Sequence, residues 1–134
     1  MKRMTAIAAV AASLGAAALP VSAQGISGDV VKIAVLSDMS GPYADTAGRG
    51  SVEATKMAVE DFGGTVAGKK IEVVFADHQG KADIGASRAR TCFDTDGVDV
   101  VVDRNNSAVA MAVYNLAKER NKLILTSGGA SDAL

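Results

Sequence analysis

The sequence predicts an α/β protein built on a doubly wound, Rossmann-like parallel sheet. Four short apolar runs rich in Val, Ile and Leu alternate with three segments of helical periodicity, and polar loops separate them. Near-continuous apolar runs are typical of strands that are covered on both faces, as in parallel sheets. Their alternation with helices indicates successive βαβ units, so the predicted order is β-α-β-α-β-α-β.

The four predicted strands differ in length but share this apolar character. They occupy residues 30–37, 71–76, 98–102 and 123–126. Right-handed crossovers predict the spatial order 2-1-3-4, which reverses between the first and third strands. Because no helix follows the fourth strand within the 134 residues, we expect one face of the sheet to be bare beside it.

The three predicted helices occupy approximately residues 50–62, 82–93 and 107–120. In the first, apolar side chains at three- to four-residue spacing should face the sheet; they are Ala54, Met57, Ala58 and Phe62. In the third, the apolar stripe contains Val109, Ala112, Val113 and Leu116. Ser107 is placed to cap the third helix. The three glycines of residues 63–68 predict a turn or a short hairpin.

The first 23 residues have the pattern of a cleavable export signal. Lys2 and Arg3 precede an apolar, alanine-rich run at residues 4–19, and small residues lead to a cleavage position after Ala23. The run is shorter than the ~20 residues that span a bilayer. Removing residues 1–23 would take the formal net charge from −1 to −3.

Charge argues against nucleic acid as a partner. A mildly acidic chain with no basic run gives no electrostatic reason to expect nucleic acid.

Cys92 is the single cysteine of the sequence. It is either a buried small apolar residue or the partner of a cysteine beyond residue 134.

No catalytic, cofactor or metal site is predicted. The sequence has no Gly-x-Ser-x-Gly motif, and His78, placed by the pattern at the rim of an outer strand, is its one histidine. Asp77, His78 and Asp83 could bind a metal, although such spacing is common by chance. The glycine pattern that begins at Gly48 has Glu53 where a dinucleotide fingerprint needs its third glycine.

Candidate binding residues lie in three polar loops, at residues 38–48, 103–107 and 127–133, which follow the first, third and fourth strands. Ligands of open α/β sheets bind beyond the carboxyl ends of the strands. Ser107 could bind an anion at its helix start or serve as the cap, and Tyr43 could stack on a ligand or pack on the surface. The candidate residues are Ser107, Ser131, Gly129, Tyr43, Ser40 and Asn106.

Five segments together resemble the leucine/isoleucine/valine-binding family of bacterial ABC importers. They are VKIAVLSDMSGPYA, GSVEATKMAVEDFG, GKKIEV followed by Ala-Asp, DGVDVVV followed by SAVA, and KLILTSG. The match covers nearly all of the chain after residue 23. It implies the first, incomplete lobe of a two-lobe periplasmic-binding-protein type I fold. Residues 24–134 would then be a partial N-terminal lobe of a ligand-binding domain.

The resemblance also implies a function. A periplasmic protein would capture an amino acid of branched-chain type, or a related small carboxylate, and deliver it to an ABC permease in the inner membrane. In this family, a Ser after the third strand and small residues after the fourth strand hold the ligand. By position, these residues correspond to Ser107 and residues 128–131. A ligand-sensing domain of a receptor or regulator on the same fold is the alternative. We expect these 134 residues alone to bind ligand weakly or not at all.

Overall fold

The computed structural model describes Ile26, residues 28–103 and residues 105–134. Within these residues the elements follow the order β1 (Val30–Ser37), α1 (Gly48–Asp61), β2 (Thr65–Val66), β3 (Lys69–Asp77), α2 (Ala82–Asp94), β4 (Val100–Val102), α3 (Ser107–Glu119) and β5 (Leu123–Leu125). The predicted export signal at residues 1–23 lies outside the described residues. No helix in the described part is long and apolar enough to span a membrane.

The sheet confirms the predicted class. Its order is β2-β3-β1-β4-β5, and β1, β3, β4 and β5 are parallel to one another. The four strands predicted from the apolar runs therefore stand in the predicted 2-1-3-4 order, as expected of a doubly wound sheet. The glycine-rich segment forms a short hairpin, in which β2 pairs antiparallel with the start of β3.

One strand begins later than its apolar run. β4 starts at Val100, whereas the sequence predicted a start at Val98. Val98 is fully buried, but its N–H donates to the carbonyl of Cys92 near the end of α2. Its backbone therefore closes the turn between α2 and β4 and is not part of the strand. An apolar sequence position is buried in either case, so the sequence pattern did not distinguish the two.

The main core lies between one face of the sheet and the helices α2 and α3. Alternate strand residues point to this face, as the two-residue period of a strand requires. The buried cluster contains Ala34, Leu36, Ala89, Cys92, Phe93, Val98, Val101, Val109, Val113, Leu116 and Ala117. Cys92 is thus a buried apolar residue, and burial raises the pKa of its thiol.

The helix α1 covers the opposite face, and its predicted buried side was wrong. Val52 is the buried side chain of α1, while Met57 and Phe62 are 63% and 66% exposed. Together with Ala54 and Ala58, Phe62 instead lines an apolar groove of about 510 Å³ between α1 and the sheet. The face beside β5 is likewise poorly covered, because Leu123 and Leu125 are mostly exposed.

The helix α3 starts as predicted, but Ser107 is not its cap. The cap is Asn106, whose side-chain oxygen accepts hydrogen bonds from the N–H groups of Ala108 and Val109 at 3.0 and 3.2 Å. An asparagine in extended conformation before the first helical residue is a preferred N-cap. The hydroxyl of Ser107 is therefore available for a different contact.

Candidate functional site

Four parallel strands bring four polar loops to one edge of the sheet, here called the rim. The loops follow β1, β3, β4 and β5 at residues 38–47, 78–81, 103–106 and 126–134, with Arg104 outside the described residues. In open α/β sheets this is the edge at which ligands bind. The three loops predicted from the sequence therefore lie on the same side of the molecule.

The loop after β1 is shaped by a buried carboxylate. Asp38 is fully buried, and its two oxygens accept hydrogen bonds from the N–H groups of Gly41 at 2.7 Å and Tyr43 at 3.0 Å. A Cβ at position 41 would lie 2.6 Å from both carboxylate oxygens, so only glycine permits this close approach. The turn presents the Tyr43 side chain, 43% exposed, at the rim.

A second carboxylate ties the loop after β1 to the end of β3. Asp77 accepts hydrogen bonds from the N–H groups of Met39 and Gln79 and from the hydroxyl of Ser40, the last at 2.6 Å. Desolvation raises the pKa of Asp77, but the hydrogen bonds from Ser40, Met39 and Gln79 outweigh it, so the pKa lies below its ordinary value. The hydroxyl proton of Ser40 is thus already donated to a protein carboxylate.

The helix start of α3 meets the loop after β5. The Ser107 hydroxyl oxygen accepts a hydrogen bond from the N–H of Ala130 at 3.2 Å. Nearby, Asp103 accepts a hydrogen bond from the Ser127 hydroxyl at 2.7 Å. Two independent contacts therefore join these neighbouring loops, which are sequence-distant but adjacent because β4 and β5 pair in parallel.

The remaining candidates lie in the loop after β5. Gly129 is exposed, and the hydroxyl of Ser131 accepts a hydrogen bond from the N–H of Ala133 at 3.2 Å. Gly128 packs against Asn105, where an added Cβ would lie 3.2 Å from the Asn105 Cα. This loop is therefore seated directly on the turn that leads into α3.

The six predicted site residues fall into two groups at the rim. One group surrounds the start of α3 and contains Asn106, Ser107, Gly129 and Ser131. The other contains Ser40 and Tyr43 on the loop after β1. The hydrogen bonds of the second group run to Asp77 and Asp38 and not to the α3 start. Asn106 also donates a hydrogen bond to the carbonyl of Gly80 in the loop after β3, at a long 3.4 Å.

His78 begins the rim loop after β3, in agreement with the position predicted for it at the end of an outer strand, but its side chain is fully buried. The way in which three aspartates organise the rim loops was not predicted. Asp38, Asp77 and Asp103 each directly follow or end a strand, and each organises a loop. The repeated placement of Asp where an apolar run ends was the signal for them. Among the described residues, no group of three His, Cys, Asp or Glu side chains could hold a metal ion.

Burial of His78 predicts a pH-dependent stability. Desolvation lowers the pKa of His78, although Asp38, Asp77, Asn105 and Asp103 oppose the shift. A depressed pKa means that the unfolded chain binds the proton more readily, so stability should fall as the pH drops below the unfolded value of about 6.5. Urea denaturation at about pH 7.5 and pH 5.5 should show this loss in the native protein and a smaller loss in His78→Gln. An equal loss of stability in the two proteins would show that His78 is not the source of the pH dependence.

The chain is similar to a protein family and to several solved structures. The profile of a family described as periplasmic binding protein matches residues 30–133. A periplasmic binding protein from Burkholderia mallei is 53% identical over 79% of this chain, with a TM-score of 0.76. A branched chain amino acid ABC transporter periplasmic ligand-binding protein from Burkholderia xenovorans LB400 is 47% identical over 76% of the chain, with a TM-score of 0.73.

A more distant structure holds a ligand. The solute binding protein of an ABC transporter from Rhodopseudomonas palustris BisB5, in complex with 3,4-dihydroxy benzoic acid, is 28% identical over 76% of the chain, with a TM-score of 0.71. The chain spans 28%, 27% and 28% of the lengths of these three proteins, respectively. No curated protein sequence gives a significant match.

Proposed function

Because this chain belongs to the periplasmic binding protein family, we propose that it forms one part of the solute-binding component of an ABC importer. The family resemblance predicted from the sequence is confirmed, and the family and the similar structures are binding proteins rather than enzymes. The proposed ligand is a small carboxylate, either an amino acid of branched-chain type or a related organic acid.

The contact between Ser107 and Ala130 carries this proposal. The Ser107 oxygen accepts from the Ala130 N–H, which leaves the hydroxyl proton of Ser107 available to a ligand. A hydroxyl at the positive end of a helix is a good donor to a carboxylate. Asn106 already occupies two N–H groups of this helix start, so Ser107 is the donor that the site most depends on.

The ligand class is supported by what related proteins are named for. One relative is named for branched chain amino acids, and another is bound to 3,4-dihydroxy benzoic acid. These solutes differ in their side groups but share a carboxylate. We therefore propose that the loops at the start of α3 bind the carboxylate, and that the rest of the ligand faces the loop after β1, where Tyr43 is exposed.

The proposed cellular role follows from the family and the sequence together. In this proposal, residues 1–23 are a cleaved export signal and residues 24–134 form part of the first lobe. Binding in the periplasm would favour a closed arrangement of two lobes, which a permease in the inner membrane would recognise. The chain spans about a quarter of its relatives' length, so the opposing half of the clamp belongs to that remaining length.

Substitution of Ser107 tests the proposed contact. A thermal-shift screen of the full-length gene product with branched-chain amino acids and hydroxybenzoates should first identify a ligand. Calorimetry should then show about 10- to 100-fold weaker binding to Ser107→Ala, as expected for one lost hydrogen bond to a charged group. The matched control is Ser87→Ala, an exposed position on α2. Unchanged affinity in Ser107→Ala, or an equal loss in both variants, would refute the role of Ser107.

A further inference from the structure

The outer edge of the sheet has no partner strand along most of β3. β2 pairs only with the first two residues of β3, and the N–H of Ile71 donates to the carbonyl of Gly64 on the same side. Beyond Ile71, no strand of the described residues pairs with this edge. The edge of β3 is therefore open over residues 72–77, up to the rim.

Alternate residues of β3 present their backbone groups to the open edge. In a parallel ladder, the N–H and C=O of one residue point to one side of the strand, and those of the next residue point to the other side. The N–H of Ile71 points outward, whereas that of His78, just after β3, donates inward to the carbonyl of Ser37 in β1. By this alternation, the backbone groups of Val73 and Phe75 point outward. They form a short template to which an extended chain can add as a further strand.

Two arginines flank the open edge, one from each face of the sheet. Arg49 of α1 lies over the ring of Phe75, with 5.7 Å between the guanidinium carbon and the ring centroid. Arg88 belongs to α2 on the opposite face, and all three residues line one cleft of about 440 Å³. Both arginines are exposed, and within the described residues neither has an ion pair or a hydrogen bond. Two guanidinium groups are therefore free to bind anions at this edge.

The charge of the cleft favours acidic partners. Asp77 is the one acidic residue among those that line it, and its carboxylate already accepts hydrogen bonds from two N–H groups and a hydroxyl. The ring of Phe75 is 49% exposed and adds apolar surface at the centre of the cleft. A guanidinium group binds a carboxylate through two parallel hydrogen bonds, which are stronger than those between neutral groups. The arginines therefore suit carboxylate side chains.

We propose that the open edge of β3 binds an extended acidic segment of a partner protein as an added strand. The segment pairs with the backbone of Val73 and Phe75, and its carboxylates bind Arg49 and Arg88. Successive side chains of a strand point to opposite faces of the sheet. Because the two arginines lie on opposite faces, the segment must carry two acidic residues at adjacent positions, or an odd number of positions apart.

A pair of peptides with equal composition tests the required spacing. One peptide of about ten residues contains serine, threonine and valine with two adjacent glutamates at its centre. The second has the same residues with the glutamates two positions apart. Calorimetry with the full-length gene product at low ionic strength should show about tenfold tighter binding of the first peptide, because only its carboxylates reach both arginines. Equal affinities, or no binding of either peptide, would overturn the proposal.

Arginine variants and amide exchange locate the bound peptide. Arg49→Gln and Arg88→Gln should each weaken binding of the adjacent-glutamate peptide about tenfold. The matched control is Arg90→Gln, an exposed position on α2 outside the cleft, which should leave the affinity unchanged. Saturating peptide should slow amide exchange of Val73 and Phe75 at least about tenfold. Equal effects of the three variants, or unchanged exchange at the edge, would contradict binding as an added strand.

Two further outcomes would assign the edge to a different occupant and overturn the proposal. Glutarate that binds the cleft as tightly as the peptide would identify a site for small anions. A dimer that forms in sedimentation experiments and is disrupted by Arg88→Gln would identify a second copy of this chain as the occupant. All these measurements are made without solute. They therefore remain valid if no carboxylate binds at Ser107, and the proposal is independent of the proposed function.

Discussion

Replacing Asp38 by alanine should destabilise the protein by about 2–4 kcal/mol and remove most of its ligand affinity. The carboxylate is fully buried and holds the Gly41 and Tyr43 N–H groups, so its loss frees the loop after β1. Each hydrogen bond to a charged group contributes about 1.5–3 kcal/mol, and partial access of these N–H groups to water reduces the total. Urea denaturation and calorimetry with an identified ligand would measure both effects.

The matched control for Asp38 is Asp45→Ala in the same loop. Asp45 is exposed, so its replacement should change stability by less than about 0.5 kcal/mol. Asp38→Asn should fall between the two, because the amide keeps one acceptor oxygen but its NH₂ group faces an N–H donor. Similar stability of Asp38→Ala and Asp45→Ala would contradict the proposed role of the buried carboxylate.

Replacing Gly85 by leucine should cost at least about 3 kcal/mol, a large part of the 5–15 kcal/mol that stabilises a typical domain. Gly85 is buried where α2 crosses α3, and a Cβ there would lie 2.6 Å from Cγ1 of Val109. Because Val109 is itself fully buried and packed, it cannot move aside without displacing its neighbours. Chemical denaturation would give the change in the free energy of unfolding.

The same substitution at Gly50 provides the control for Gly85. Gly50 lies in α1, and a Cβ there meets nothing within 4 Å. Gly50→Leu should therefore stabilise the helix by about 0.5–1 kcal/mol, because leucine has the higher helix propensity.

A double variant tests the clash between positions 85 and 109. Val109→Ala should offset part of the cost of Gly85→Ala, so the loss of stability in the double variant should be smaller than the sum of the losses in the two single variants. Strict additivity would show that the two residues do not clash.

The sequence was sufficient to predict the sheet, its order and the position of its loops. Apolar runs fix which segments are strands, and the handedness of crossovers leaves few arrangements of four parallel strands. β1 has the predicted bounds, and the other three strands differ by one to two residues at their ends. The resemblance then identified the family, which the match at residues 30–133 confirms.

The sequence could not predict interactions that depend on which neighbour covers a face. Ala54, Ala58 and Phe62 have helical spacing, but α1 rests on the sheet through Val52 and leaves them beside a groove. Ser107 and Asn106 are both good capping residues, and only their backbone conformations show that Asn106 is the cap. The position of His78 directly after a strand predicted its place at the rim, but the strand pattern contained no signal that its side chain is fully buried.

A crystal structure of the full-length gene product with leucine or 3,4-dihydroxybenzoate bound would test the central proposal most directly. We expect the ligand carboxylate to lie within hydrogen-bond distance of the Ser107 hydroxyl, beside residues 128–131, with the remainder of the ligand towards Tyr43. A ligand seated in the apolar groove beside α1, or at the opposite edge of the sheet near Thr65–Val66, would contradict it.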